Sequence, residues 1–327
     1  MTSELTRRRM LEQSGALASV TLLAASSTAG AAAPASASVP ADPFRYCLNT
    51  STIRGQKLSL PQQIRVAAEA GYQAIEPWMG DLHQFVQSGG KLPELKSRID
   101  DAGLTVESAI GFSAWIVDDP DQRRQGQEAL RRDMDALRQI GGRRIAAPPA
   151  GATQTSGLDL FRVAERYAEI LELGQSLEVV PQLELWGFSK SLSRLGEISL
   201  VAIESGHPQA CLLLDIYHLY KGGSSFAGVK HLAGSAMHVL HLNDYPGNVS
   251  RALIGDADRV FPGDGAAPIV DVVRQLHATG FCEVLSLELF NPHYWQRDPL
   301  AVAREGLQKM RAAVHQALGS QPVAASG

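Results

Sequence analysis

The sequence predicts a single (β/α)₈ barrel, and three observations carry that expectation. Short apolar runs alternate with amphipathic stretches eight times over about 280 residues, the usual scale of such a barrel. The runs are rich in Val and Leu and are followed by Gly, Pro or Asn, as strands buried on both faces are. The last four runs carry metal-binding side chains at or near their ends: Glu184, Asp215, His241 and Glu288. Parallel barrel strands present their chemistry at their carboxyl ends, so these four can converge on one face.

Tyr46–Thr50 reads as strand one, and the helix after it starts near Pro61 and stops at Gly71. Ala74–Trp78 is strand two; its helix runs from about Pro93 to Ala102 and ends at Gly103. Thr105–Ile110 is strand three. The next helix carries Leu130, Met134, Leu137 and Ile140 on one stripe, and Gly141-Gly142 stop it. Arg144–Pro148 is strand four, followed by a helix with Leu160, Val163, Tyr167, Ile170 and Leu171. Strands five to eight lie in Val179–Glu184, Cys211–Asp215, Val239–Asp244 and Val284–Leu289. A doubly wound open sheet would need a Gly-rich phosphate turn after strand one, and Asn49-Thr50-Ser51-Thr52 is not one. The long irregular segment from Asn243 to Ala267 reads as a functional loop.

The 327 residues are 45% hydrophobic and 20% charged with net charge −4, so no basic excess points to nucleic acid. Arg7-Arg8-Arg9 precede an Ala/Ser/Leu-rich stretch, Gly15 to Ala33, and then Ala35-Ser36-Ala37. That order predicts a twin-arginine-type export signal over residues 1–37, cleaved near Ala37. It implies a periplasmic or extracellular protein with the twin-arginine machinery as a partner. Gly, Ser and Thr dilute the stretch too far for a stable membrane anchor. The expected organisation is the signal, a barrel over residues 42–316 and a flexible tail over 317–327. Cys47, Cys211 and Cys282 are too few and too scattered for a disulfide framework, and read as small core residues. Oligomerisation is left open.

Two Glu, one Asp and one His form a mixed oxygen and nitrogen set that suits Mn²⁺, Mg²⁺ or Co²⁺ better than Zn²⁺. An ion held by Glu184, Asp215, His241 and Glu288 orients a ketone and its neighbouring hydroxyl, and stabilises charge when the adjacent C–H loses its proton. Glu184 and Glu288, on separate strands, are the acid and base. His218 follows Asp215 by one turn and is placed to meet a substrate oxygen. Glu76, Trp186 and Arg259 are further candidates for substrate contact. Glu76 has a competing structural role as a partner of Arg54, and Arg259, like Arg251 and Lys221, a competing role in surface ion pairs. Trp78, Trp115 and Trp295 are placed with Trp186 at strand ends, where stacking on a sugar competes with packing. His83 and His293 read as solvated loop histidines. The set describes an isomerase, an epimerase, or an enzyme that carries the enolate on to elimination.

The chain resembles the xylose-isomerase-like TIM-barrel group of sugar phosphate isomerases and epimerases, most of all inosose isomerases. The resemblance runs from Tyr46 to about Val314. It is sharpest in Leu183-Glu184, Leu214-Asp215-Ile216-Tyr217-His218, His241-Leu242-Asn243-Asp244, the segment Asp258–Gly265, and Ser286–Pro292. It implies a divalent metal, commonly Mn²⁺, at Glu184, Asp215, His241 and Glu288, with the two Glu as acid and base and His218 on substrate. It also implies a keto-sugar or keto-cyclitol substrate. The alternative within the group is a lyase or dehydratase acting on a keto-sugar or 3-keto-glycoside. The export signal departs from the cytoplasmic inosose isomerases and points to an unphosphorylated substrate.

Overall fold

Each of the eight apolar runs forms a strand in the computed structural model, which describes residues 42–319. The strands are β1 (Arg45–Asn49), β2 (Ala74–Glu76), β3 (Thr105–Val106), β4 (Arg144–Ala147), β5 (Val180–Glu184), β6 (Leu212–Asp215), β7 (Met237–His241) and β8 (Val284–Leu287). They lie side by side in the order β3-β2-β1-β8-β7-β6-β5-β4, every pair parallel. Beyond β3 the chain stays extended. Ala109 N donates to Arg144 O (3.1 Å), and Ala109 O accepts from Ala146 N (2.9 Å). These bonds join β3 to β4 and close the barrel. The fold class matches expectation.

Among the described residues ten α-helices flank the strands: α1 (Leu60–Ala70), α2 (Met79–Gln87), α3 (Leu92–Asp101), α4 (Pro120–Gln139), α5 (Leu160–Leu177), α6 (Leu195–Glu204), α7 (Ile216–Gly222), α8 (Ile269–Ala278), α9 (Pro292–Trp295) and α10 (Pro299–Leu318). Their ends follow from capping chemistry. Asp119, Asp159 and Asp298 each accept a first-turn N–H, and Gly71 ends α1 in the left-handed region at φ 92°. Helix α2 has no counterpart in the expected order, because only Met79 and Leu82 are buried along its nine residues and so short a stripe carries little periodic signal. Helix α10 runs to Leu318 with Ala317 buried, past the expected boundary at 316. The expected signal over 1–37 lies outside the described residues, as does the tail beyond 319. No helix among the described residues is long and apolar enough to cross a membrane.

Strand alternation sorts the side chains. Leu48, Ile75, Leu212, Leu214, Leu240, Leu285 and Leu287 pack outward in the large apolar layer shared with the helices. Cys47, Ala74, Ala146, Leu213, Val239 and Val284 form a separate cluster with Ile110 inside the barrel. A pleated strand repeats every two residues. The next inward positions toward the carboxyl ends are therefore Asn49, Glu76, Asp215, His241 and Ser286. Register places Asn49 beside Glu76, Asp215 beside His241 and His241 beside Ser286.

The Asn243–Ala267 segment is ordered by one buried carboxylate. Asp244 accepts from the backbone N–H of Tyr245 (2.7 Å), Gly263 (3.0 Å), Gly265 (3.0 Å) and Ala267 (2.9 Å), and its own backbone pairs antiparallel with Val260. A Cβ at Gly265 would overlap that carboxylate, so only glycine fits there. All three cysteines are free; Cys47 and Cys211 are buried as expected, whereas Cys282 is exposed and not a core residue.

Candidate active site

Asp215, His241 and Glu288 each offer an atom that lies within 4.8 Å of the others. His241 Nδ1 stands 3.2 Å from Glu288 Oε2, 3.7 Å from Asp215 Oδ2 and 3.9 Å from Glu184 Oε1. Glu184 therefore joins at the edge of the group. All four are buried, yet His241 Nδ1 and Glu184 Oε2 have no hydrogen-bond partner. An unpaired buried polar atom is costly, roughly 1–3 kcal/mol, and demands an explanation. A divalent cation supplies one: three carboxylates and one imidazole suit a hard or borderline ion.

The orientation of His241 comes from behind. Its Nε2 meets Glu76 Oε2 at 3.1 Å, and the same oxygen accepts from Asn49 Nδ2 (2.9 Å) and Ser286 Oγ (2.7 Å). Glu76, expected at the substrate, is instead wholly buried beneath His241 and does not line the cavity. Nor does it pair with Arg54, whose guanidinium lies over the Trp78 ring at 4.1 Å. Asn49 Nδ2 also donates to Glu288 Oε1 (3.1 Å), and Asn243 Nδ2 donates to Asp215 Oδ2 (2.8 Å) while its Oδ1 accepts from Tyr217 N (2.9 Å). Sequence reasoning missed Asn49, Asn243 and Ser286 as site residues. For Asn49 and Ser286, the inward strand parity they share with Glu76 and His241 was the available signal.

Arg259 reaches the same carboxylates from the loop after β7. Its Nη1 donates to Glu288 Oε2 (2.8 Å) and Asp215 Oδ2 (2.9 Å), and its Nη2 to Asp256 Oδ1 (2.5 Å). The guanidinium lies 4.4 Å from the Tyr217 ring centre and 4.9 Å from that of Phe290. A buried charge survives only with partners of this kind. Arg251 is exposed, and Lys221 donates to the carbonyls of Arg251, Ala252 and Ile254, a structural clasp. His218 is held by its backbone N–H on Asp215 Oδ1 (2.8 Å) and sits 3.2 Å from Arg259 Nη2.

These surroundings push the two glutamates apart. Burial, reinforced by the charges of Glu288 and Asp215, pushes the Glu184 carboxyl up to about 8. Burial would raise Glu288 as well, but His241 and Arg259 hold it well below the usual carboxylate range. Burial, with Arg259 nearby, lowers His218 and keeps it neutral.

Above this floor is a cavity of about 170 Å³, bounded by Glu184, Glu288, His218, Arg259 and Asp256 and walled by aromatic rings. Trp78 and Phe112 are 5.2 Å apart between ring centres, Phe112 and Trp186 5.7 Å, and Trp186 and Phe188 5.2 Å; Phe290 completes the wall. Trp186 thus stands on the cavity wall, while Asp215 and His241 do not line it. Trp115 is buried in the core and donates to Pro148 O, and Trp295 donates to Ser51 O, so both pack rather than line the site. His83, on α2, pairs with Asp133 of α4 (2.8 Å), and His293 lies on α9; neither lines this cavity.

Residues 64–313 match the family described as Xylose isomerase-like TIM barrel. An inosose isomerase of Bacillus velezensis is 23% identical over 259 residues, covering 77% of this chain and 91% of that protein. A fructoselysine 3-epimerase of Escherichia coli O157:H7 is 23% identical over 272 residues, covering 79% of this chain and 94% of the other. Among solved structures, the IolI protein with a bound zinc atom superposes with a TM-score of 0.77 at 18% identity, covering 84% of this chain and all of that one.

Proposed function

The chain belongs to the xylose isomerase-like TIM barrel family, and from that premise we propose that it is a divalent-metal-dependent isomerase or epimerase of a keto-sugar or keto-cyclitol. The relatives named inosose isomerase and fructoselysine 3-epimerase support the substrate class. The observation that carries the reading is the pair of unpartnered buried atoms, His241 Nδ1 and Glu184 Oε2, facing Asp215 and Glu288. Glu184, Asp215, His241 and Glu288 would hold the ion, with Mn²⁺ the expected choice and Mg²⁺ or Co²⁺ the alternatives. When bound, it supplies an electrophile for the ketone and its neighbouring hydroxyl.

The protein side chains divide the remaining work. Glu288, held ionised by the Arg259 guanidinium at 2.8 Å, is the base that takes the proton beside the ketone, leaving an enediolate. Glu184, the second carboxyl bounding the cavity, is the acid that returns a proton. Returned to the ketone carbon, with the hydroxyl proton passing to the former ketone oxygen, that proton completes isomerisation; returned to the opposite face of the original carbon, it completes epimerisation. Neutral His218 and the Arg259 guanidinium bind substrate oxygens. The aromatic wall excludes water and packs against the apolar face of the ring. We also propose that the chain is exported by the twin-arginine route, on the residue pattern of its first 37 positions, and acts there on unphosphorylated substrate.

The decisive experiment incubates Mn²⁺-loaded protein with inososes and keto-sugars in D₂O and follows proton NMR. The expected result is deuterium beside the ketone and a product with every substituent retained. Release of a substituent would assign the lyase alternative. No exchange with any keto-sugar under any of the three metals would refute the reading.

A further inference from the structure

An amide at the end of β1 holds the base proposed above. Asn49 is fully buried, and every hydrogen-bonding position of its side chain is used. Its Nδ2 donates to Glu288 Oε1 (3.1 Å) and to Glu76 Oε2 (2.9 Å). Its Oδ1 accepts from Ser51 N (3.0 Å) and from the indole Nε1 of Trp78 (3.0 Å). These partners settle which way the amide faces. Turned over, it would set an oxygen against two carboxylates and an NH₂ against two N–H groups. Arg259 Nη1 donates to the other oxygen of Glu288, Oε2, at 2.8 Å. Both oxygens of the base therefore have a fixed donor, and the plane of its carboxylate is set.

Trp78 is held firmly enough to act as an anchor for that amide. Its backbone bridges in parallel to Ile110, with Met79 N donating to Ile110 O (2.9 Å) and Ile110 N to Pro77 O (3.0 Å). The Arg54 guanidinium lies over its ring at 4.1 Å, and Phe112 and Phe290 meet it edge-on, at 5.2 and 5.8 Å between ring centres. Trp115 and Trp295 give their indole N–H to backbone carbonyls, whereas Trp78 gives its own to an amide that touches the base.

We propose that Trp78 is a positioning residue: through Asn49 it orients Glu288 for proton abstraction, while its ring forms part of the cavity wall. The proposal rests on the reading of Glu288 as the base. Without the indole N–H, Asn49 Oδ1 keeps only Ser51 N, and the amide can tilt under its two carboxylates. A reacting group displaced by about 1 Å costs on the order of 10²-fold in rate, so a small tilt is felt.

Trp78→Phe keeps an aromatic ring on the wall and removes the indole N–H. With Mn²⁺-loaded protein and 2-keto-myo-inositol in D₂O, exchange of the proton beside the ketone should fall about ten-fold or more, with KM within about two-fold of the parent. Adding Trp78→Phe to Asn49→Ala should cost little further, because the tryptophan acts through the amide. A parental exchange rate in Trp78→Phe, a loss carried by KM alone, or fully additive losses in the double variant overturn the proposal. Trp78→Phe decides alone where Asn49→Ala does not fold. A second readout needs no turnover. The chain has four tryptophans, and Trp78→Phe identifies which indole proton in a ¹H–¹⁵N spectrum belongs to Trp78. Solvent exchange of that proton should quicken about five-fold or more in Asn49→Ala, the factor expected on losing one hydrogen bond. A parent protein that exchanges no proton of the probe overturns the base reading and leaves the indole to judge the clamp. Unchanged indole exchange in folded Asn49→Ala overturns the clamp whatever the activity.

Discussion

His241 turns its Nε2 onto Glu76, 3.1 Å away, and leaves its Nδ1 facing three carboxylates with no hydrogen-bond partner. A buried carboxylate behind an imidazole fixes the ring and raises the basicity of the nitrogen in front. Glu76→Gln keeps the shape and removes the charge. Metal affinity, measured by chelator competition, should fall about 10- to 100-fold, the usual effect of losing such a partner. An unchanged affinity would make Glu76 a packing residue.

Asp215→Ala and His241→Ala remove two of the proposed ligands without touching the proposed proton carriers. Both variants should lose bound metal and nearly all activity while circular dichroism still reports a folded barrel. One equivalent of metal retained in both would sink the ligand assignment.

Glu184→Gln and Glu288→Gln should each lower turnover by about 10²–10⁴, the contribution of a positioned proton-transfer group. They should differ in exchange. Glu288→Gln is expected to stop exchange of the proton beside the ketone with D₂O, whereas Glu184→Gln should still exchange without forming product. Near-normal exchange and turnover in both would leave His218 as the next base.

Metal affinity should rise with pH toward 8. Glu184 is pushed up to about 8 by burial, so below that value a proton competes with the cation for its carboxylate. The sign for stability is the reverse without metal: the folded state binds the extra proton, so stability falls as pH climbs from the ordinary carboxylate range to about 8. Added Mn²⁺ should therefore raise the melting temperature more at pH 8 than at pH 6, by mass action on the folded state. An equal rise at both values contradicts the assignment.

Asp244→Ala deprives four backbone N–H groups of one acceptor. Hydrogen bonds to a charged group contribute about 1.5–3 kcal/mol each and are not additive, so a loss of at least about 2 kcal/mol is expected. Thermal unfolding reads it, and substrate binding should weaken with it, because the same loop delivers Arg259. A melting temperature within a degree of the parent would show that the loop is held otherwise.

The sequence by itself determined the barrel and the four chemical groups at its mouth. An apolar run with a period of two residues says which side chains point inward, and the end of the run says which of those reach the functional face; both are local facts, legible at Glu184, Asp215, His241 and Glu288. Tertiary structure alone decided what the neighbours do. Glu76 has the same strand-end signature as Glu184, yet Asn49 and Ser286 draw it beneath His241, and nothing local to Glu76 encodes that. Arg259 looks in sequence like Arg251, but the Asp244 clasp folds its loop back and places one guanidinium between two carboxylates while the other faces solvent. The aromatic wall draws Trp78, Phe112, Trp186, Phe188 and Phe290 from the ends of four strands. Such contacts join residues far apart in the chain, and their geometry is set by how the whole barrel closes.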